Sequence, residues 1–411
     1  MKLKNHFKEN GSFLTCLIIA ATLIMPTSAD ATTYYVSTNG NNANTGSQSA
    51  PFRTIKFSLG QLVAGDTLFI RGGTYPEKLE SHNGTNFPSG TSWANPVTVA
   101  ASPGEQVTIV GKMAIGIETP LTQYVIFDGL TIDATGQDNG ISINGGTHHL
   151  RFIDGEVKNS IGSAGILTSY NNDANHNDTF HEFTNMHVHH NGITRNLDHG
   201  FYFSTSGNLV ENCLIHDNAA WGIHVYTFDT KPKPNNNIFR NNLIYNNGIV
   251  LRSGGGITIN RSDDNLIYNN ILWSNLNGII IGGIGKNMRN KVFANTVFAN
   301  KGSGIKIRAG GIDTQSKNNI LYQNPTNLFD EGTNTTFSKN LTTNPSFVDS
   351  ANGNFHLSKT SPAISNGIPL NEVKTDISGF PRSLVAPSIG AHEYNSQSTN
   401  EPPKNLRLVT K

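Results

Sequence analysis

Charge is scarce in this 411-residue chain, where Asp, Glu, Lys and Arg together make up 14%. Lys plus Arg total 30 against 29 for Asp plus Glu, so the overall balance offers no attraction to nucleic acid or an anionic membrane. Any basic site has to be local. Cysteine is nearly absent, with only Cys16 and Cys213. Long apolar runs are missing as well. The clearest, residues 13–25, falls short of the roughly 18 apolar residues a membrane span requires. It follows Lys2, Lys4 and Lys8 and precedes Ser28-Ala-Asp-Ala31, so residues 1–31 read as a secretory signal peptide and the protein as secreted or periplasmic. Cys16 follows Thr15 inside that run rather than a small residue at its end, which argues against a lipoprotein anchor. Once the leader is removed Cys213 is the one thiol left; no internal disulfide can form, and a place in the core is expected for it.

What is abundant is glycine, with 41 residues, and asparagine. Both disfavour helices and suit short strands joined by turns, so the chain reads as all-β. Between Tyr124 and Asn324 one phrase recurs, a Gly followed by apolar residues at alternate positions: Asn139-Gly-Ile-Ser-Ile143, Ala164-Gly-Ile-Leu-Thr168, His199-Gly-Phe-Tyr-Phe203, Trp221-Gly-Ile-His-Val225, Gly255-Gly-Ile-Thr-Ile259, Asn277-Gly-Ile-Ile-Ile281 and Ser303-Gly-Ile-Lys-Ile307. The leading glycines lie 25, 35, 22, 34, 22 and 26 residues apart. The shorter intervals cannot hold a strand, a crossover helix and turns, and they fall below the roughly 40 residues of a propeller blade. They fit one solenoid turn of three short strands, with Asn at the corners hydrogen-bonding from turn to turn. The expected fold is a right-handed parallel β-helix.

Near the N-terminus the periodicity differs. Phe52, Ile55, Leu59 and Leu62 fall at helical spacing behind Pro51, and a strand follows from Thr67 to Arg71,. This stretch resembles the N-terminal cap of secreted parallel β-helix proteins of the pectate lyase superfamily, including family-9 pectate lyases and chondroitinase-B-like lyases. The resemblance implies a short capping helix over the open end of the solenoid. On this reading residues 32–394 form a single β-helix domain: cap and first turns in 32–123, regular repeats in 124–324, and a C-terminal closing segment in 325–394. Residues 395–411 are a polar tail.

Alternation along the strands puts Ser142, Leu167, Tyr202, His224, Thr258, Ile280 and Lys306 in one outward column, and Asn144, Ser169, Ser204, Tyr226, Asn260, Gly282 and Arg308 in the next. In the family resembled, that exposed sheet is implied to bind polysaccharide. Tyr202 and His224 should lie one strand apart, about 4.8 Å, and the two longest intervals put insertions beside them. Ten of the 14 histidines fall between His148 and His224. Cleaving a uronate-containing polysaccharide by β-elimination requires a group that neutralises the C5 carboxylate, a base for the C5 proton, and an acid for the leaving oxygen. Tyr202 and His224 suit the last two roles in either order, and Arg195 or His199 could meet the carboxylate. His189, Trp221, Tyr226, Lys306 and Arg308 are candidates for holding the acidic chain.

No spacing demands a cofactor. Calcium is the ion an oxygen-rich loop with Asp173 and Asp178 would take, and His187 and His189 with His199 or His224 would suit zinc. The calcium-binding Asp cluster and Lys base of family-9 pectate lyases find no match here. The leading expectation is a secreted monomeric polysaccharide lyase acting on an acidic polysaccharide. A polyuronate C5-epimerase and a non-catalytic carbohydrate-binding or adhesion solenoid are the alternatives.

Overall fold

The structure, a computed structural model, describes residues 31–116, 122–144, 146–169, 179–193, 198–250 and 252–395. Residues 1–30 of the expected signal peptide, 396–411 of the expected tail, Arg195, Asp173 and Asp178 lie outside the described residues. Among those described, no helix is long and apolar enough to cross a membrane.

The chain winds into a right-handed parallel β-helix with three long sheets of 12, 10 and 10 strands. Each turn visits the first, second and third sheet in order, as with His148–Ile153, Glu156–Lys158 and Ala164–Thr168. Period-2 alternation buries one side of every strand. Phe201, Phe203, Ile223, Val225, Ile257 and Ile259 are fully buried in the third sheet, while Phe127, Phe152 and Phe183 stack at 4.9 and 5.3 Å beneath the first.

The corners explain the asparagines. At each sharp bend one residue adopts left-handed φ, such as Asn212, Asn241 and Asn269 between the first and second sheets, a conformation Asn tolerates better than most side chains. The residue that follows is commonly a buried Asn. Its amide donates to the next turn's Asn oxygen and to a backbone carbonyl. The second-to-third corner carries the series 191, 218, 247, 275, 300 and 324, linked at 2.9–3.1 Å. Asn242, Asn270, Asn295, Asn319 and Asn340 line the first-to-second corner. Asn208, Asn237, Asn265 and Asn290 line the third.

These ladders also account for the leading glycines. A Cβ on Gly200 would stand 2.9 Å from Asn218 Nδ2 and 2.7 Å from Gly222 O, and one on Gly165 2.6 Å from Asn191 Nδ2. The strand passes too close to the ladder for any side chain, so the Gly phrase and the Asn phrase are two halves of one packing feature.

Cys213 is buried at the foot of the first-to-second ladder, its N–H donating to Asn242 Oδ1 at 2.9 Å. Burial pushes its thiol up to about 12, which leaves it inert. The N-terminal helix is shorter than its periodicity suggests, spanning Ile55–Leu59 with Thr54 capping Phe57 N–H. Phe52 instead bridges to Val36, yet Phe52, Ile55, Leu59 and Leu62 are all buried. Beyond residue 325 the chain continues the solenoid with Thr326–Asp330 and Thr336–Ser338. It then forms the antiparallel pair Phe347–Asp349 and Asn354–Leu357. Phe355 packs on Trp273 and Phe298 of the second sheet, and buried Arg382 donates to Asn269 Oδ1 at 2.8 Å.

The ladder makes a measurable demand. Asn270 accepts from the backbone and side chain of Asn242 at 3.0 and 2.9 Å and donates to Phe239 O at 2.8 Å. Asn270→Ala strands those buried groups and should destabilise the fold by about 2–4 kcal/mol, read as a lowered denaturant midpoint. A change within about 0.5 kcal/mol, the range of ordinary surface substitutions, would show that the ladder contributes little.

Candidate functional site

The third sheet sets the candidate residues side by side. Leu167 pairs with Tyr202, Tyr202 with His224, His224 with Thr258, Thr258 with Ile280, and Ile280 with Lys306, the order expected from aligning the glycines. The Tyr202 and His224 rings lie 5.2 Å apart between centroids at 31°. Tyr226, two residues on along the chain, also stacks with His224 at 5.8 Å and 17°, and exposed Phe228 meets Tyr226 edge-on at 5.6 Å. Between these rings His224 keeps only 7% of its surface, although its position faces away from the core. Tyr202, Trp221 and Tyr226 are partly exposed.

His199 lies elsewhere than expected. As the first residue of the strand His199–Phe203 it is 1% exposed, behind His224 rather than at the surface where a substrate carboxylate would meet it. Its Nε2 is 2.9 Å from His224 Nδ1, and its Nδ1 accepts the Trp221 backbone N–H at 3.3 Å. That second bond fixes the tautomers. If His199 Nδ1 is an acceptor, its proton sits on Nε2 and is donated to His224 Nδ1, so neutral His224 carries its own proton on Nε2. Asn260 lies 3.5 Å from that nitrogen, and with its amide turned so that the oxygen faces the imidazole it becomes the acceptor, which also gives buried Asn260 Oδ1 the partner it otherwise lacks,. Burial holds both imidazoles neutral: it lowers His224 to about 3 and His199 well below the ordinary range, with the neighbouring His224 adding to the second shift.

Around this centre, residues 227–236 form a wall anchored by the Asp229–Arg261 ion pair and by Lys233 on Asp263 at 2.9 Å. Lys306 is three strands from His224, with its ammonium 4.4 Å from the Phe329 ring, and Arg308 is exposed beyond it. His189 does not join this group. It belongs to His187–His189 on the second sheet, so the zinc set combining His187 and His189 with His199 or His224 is not assembled. Their actual neighbour is His216, all three ligand nitrogens falling within 4.8 Å of one another. The sequence does hold the signal for it: matching Asn191 to Asn218 as successive ladder residues puts His189 opposite His216. Among the described residues no three carboxylates converge, so the donor set does not fit the calcium centre of family-9 enzymes.

A family described as Pel9A-like, right handed beta helix region, matches residues 34–340. The chain is similar to the uncharacterized protein YwoF of Bacillus subtilis (strain 168), 31% identical over 138 residues, 30% of this chain and 28% of that protein. It is also similar to pectate lyase PEL9 of Emericella nidulans, 36% identical over 87 residues, 21% of this chain and 20% of that one. The matched part thus spans less than a third of either curated relative. Among solved structures, pectate lyase Pel9A superposes with a TM-score of 0.60 at 16% identity, covering 89% of this chain and 97% of its own. XylC in complex with xylose gives 0.58 at 10% identity, covering 88% and 98%. At such identities the likeness is one of fold.

The neutral imidazoles tie stability to pH. His181 and His224, both buried, are lowered to about 3, whereas in the unfolded chain they titrate near 6.5. Below pH 6.5 the unfolded state takes up protons that the folded state refuses until near pH 3, so their contribution is complete above 6.5 and lost as pH falls through that window. Each should cost about 2 kcal/mol between pH 7 and pH 5. Denaturant midpoints at the two pH values should therefore drop less in His224→Gln than in the wild type; equal drops would mean that His224 takes up its proton in the fold as readily as in the unfolded chain.

Proposed function

The chain belongs to the Pel9A-like right-handed β-helix family, and from that premise we propose that it is a secreted carbohydrate-active enzyme that cleaves an acidic, uronate-containing polysaccharide by β-elimination. The observation that carries the reading is the in-register Tyr202/His224 pair on an outer sheet face, backed by His199 at 2.9 Å. A solenoid that merely adheres to glycans has no use for a convergent phenol and imidazole or for a buried histidine that fixes the imidazole's tautomer. Tyr226 and Phe228 offer ring faces for sugars, and Lys306 and Arg308, about 14 Å along the sheet at the strand spacing, offer cations for further uronates.

In the elimination the C5–H bond gives its electron pair to a new C4=C5 double bond, the C4–O bond breaks, and the departing oxygen takes a proton. With its proton on Nε2, neutral His224 acts as a donor once the C5 carboxylate, on which charge develops, replaces Asn260 as the acceptor,. Tyr202, as its phenolate, takes the C5 proton and returns it to the leaving oxygen. Ordinary pKa values alone would favour the opposite arrangement, with imidazole as the base. His199 is then a positioning residue acting through His224. No step is routed through calcium, because the carboxylates that would hold it are not assembled among the described residues.

The test is ultraviolet absorbance from unsaturated uronate ends while purified protein acts on pectate, alginate, glucuronan and glycosaminoglycans. A rise is expected on one of these classes, lowered by about 100-fold or more in Tyr202→Phe and His224→Ala. His199→Gln, which keeps a side-chain N–H for His224, should retain more activity than His199→Leu. An inert protein on every polymer would sink the lyase reading, and inverted C5 stereochemistry without chain cleavage would replace it with the epimerase.

A further inference from the structure

The second sheet carries a histidine cluster that the proposed chemistry does not use. We propose that His187, His189 and His216, completed by Glu156, bind a divalent transition-metal ion, Zn2+ foremost, that clips three successive turns together.

Strand pairing builds the cluster. Glu156 pairs with His187, Lys158 with His189, and His189 with His216. Because Val188 points into the core, His187 and His189 share the outer face. The Nε2 atoms of His187 and His216 are 2.7 Å apart, and His189 Nε2 is 2.8 Å from Glu156 Oε1. A tetrahedral ion with bonds near 2.1 Å separates its ligand atoms by about 3.4 Å. The two close pairs lie below that value and all three imidazole nitrogens stay within 4.8 Å of one another, so side-chain rotations that spread the close pairs would admit the ion.

The surroundings are those of metal-binding imidazoles. Asp217 Oδ2 accepts from His216 Nδ1 at 2.6 Å, fixing the tautomer that leaves Nε2 as the ligand, as a carboxylate behind a zinc-bound imidazole does. His189 Nε2 itself donates to Glu156, and an ion displacing that proton would shift His189 to the Nδ1 tautomer, for which His190 Nδ1 at 2.6 Å is the acceptor,. Tyr245 stacks on the His216 ring at 4.6 Å and 7°, and Lys158 holds the second oxygen of Glu156 at 3.0 Å. Three imidazoles and one carboxylate select zinc, copper or nickel over calcium or magnesium. Ions can reach the site, since Glu156 and His187 line a surface groove of about 990 Å³. Lying on a different sheet from Tyr202 and His224, the site stands or falls independently of the lyase reading.

The experiment is equilibrium dialysis of the full chain, stripped with chelator, against Zn2+ alone, with Co2+ in parallel for the visible absorption of a tetrahedral site. One equivalent per chain is expected, with a raised melting temperature. His216→Ala and the more exposed His187→Gln should abolish uptake while melting like the chelated wild type. Asp217→Asn should weaken uptake about 10- to 100-fold, an effect a merely structural aspartate would not have. His224→Ala should bind normally. Failure of the wild type to take up a stoichiometric ion, or uptake that persists in His187→Gln and His216→Ala, or loss in His224→Ala instead, would overturn the assignment.

Discussion

The hydrogen bond from one corner asparagine to the next is the interaction on which the rest of this solenoid depends. Backbone pairing between parallel strands fixes their separation but tolerates sliding by two residues, which keeps the same side chains inward. A buried amide cannot slide. Asn247 must find Asn275 Oδ1 at 3.0 Å and Ile215 O at 3.1 Å, and a shifted turn would leave all of these groups buried and unpaired,. The ladder therefore locks the register, and the glycine packed against it removes the one side chain that would push the strand away. Columns such as Tyr202 over His224 are precise because the corners are.

That coupling explains how much was legible beforehand. Alternation and the recurrence of Gly-Ile-x-Ile are local, so the β-helix, its inward column and the pairing of Tyr202 with His224 follow from the sequence. Lateral features were harder to read. His199 shares the parity of buried Phe201 and Phe203, a clue outweighed by its place at the strand entrance, and it ends beneath His224. An outward position promised exposure for His224, but Tyr202 on the adjacent strand and Tyr226 just beyond its own take most of it. His189 stands only ten residues before His199 in the chain, yet a single corner puts it on another sheet. Sequence distance misleads in a solenoid, where residues one turn apart touch and residues ten apart need not.

The scarcity of charge has the same origin. In-register stacking repeats each position at the strand spacing, so like charges in one column would repel at about 4.8 Å, by about 3–4 kcal/mol at an effective dielectric of 20. Columns consequently alternate sign or stay neutral. Arg151 pairs with Glu182 and Glu211 with Arg240, each forming an ion pair. Lys306 sits between Ile280 and Phe329 without a carboxylate opposite it. Charge that the architecture does not balance internally is available to something else, and an acidic chain lying along the third sheet would supply the missing sign.

Histidine is the residue that can populate such columns without that penalty, provided burial keeps it neutral. The two clusters use this in different ways. On the third sheet a backbone N–H sets the tautomer of His199 and through it that of His224, converting a titratable pair into a donor of fixed direction. On the second sheet Asp217 accepts from His216 Nδ1 and leaves the lone pair of its Nε2 facing the cluster. The same residue type, stacked by the same ladder, thus presents protons on one face and lone pairs on another, and the difference lies in the single hydrogen bond made by the far nitrogen of each ring.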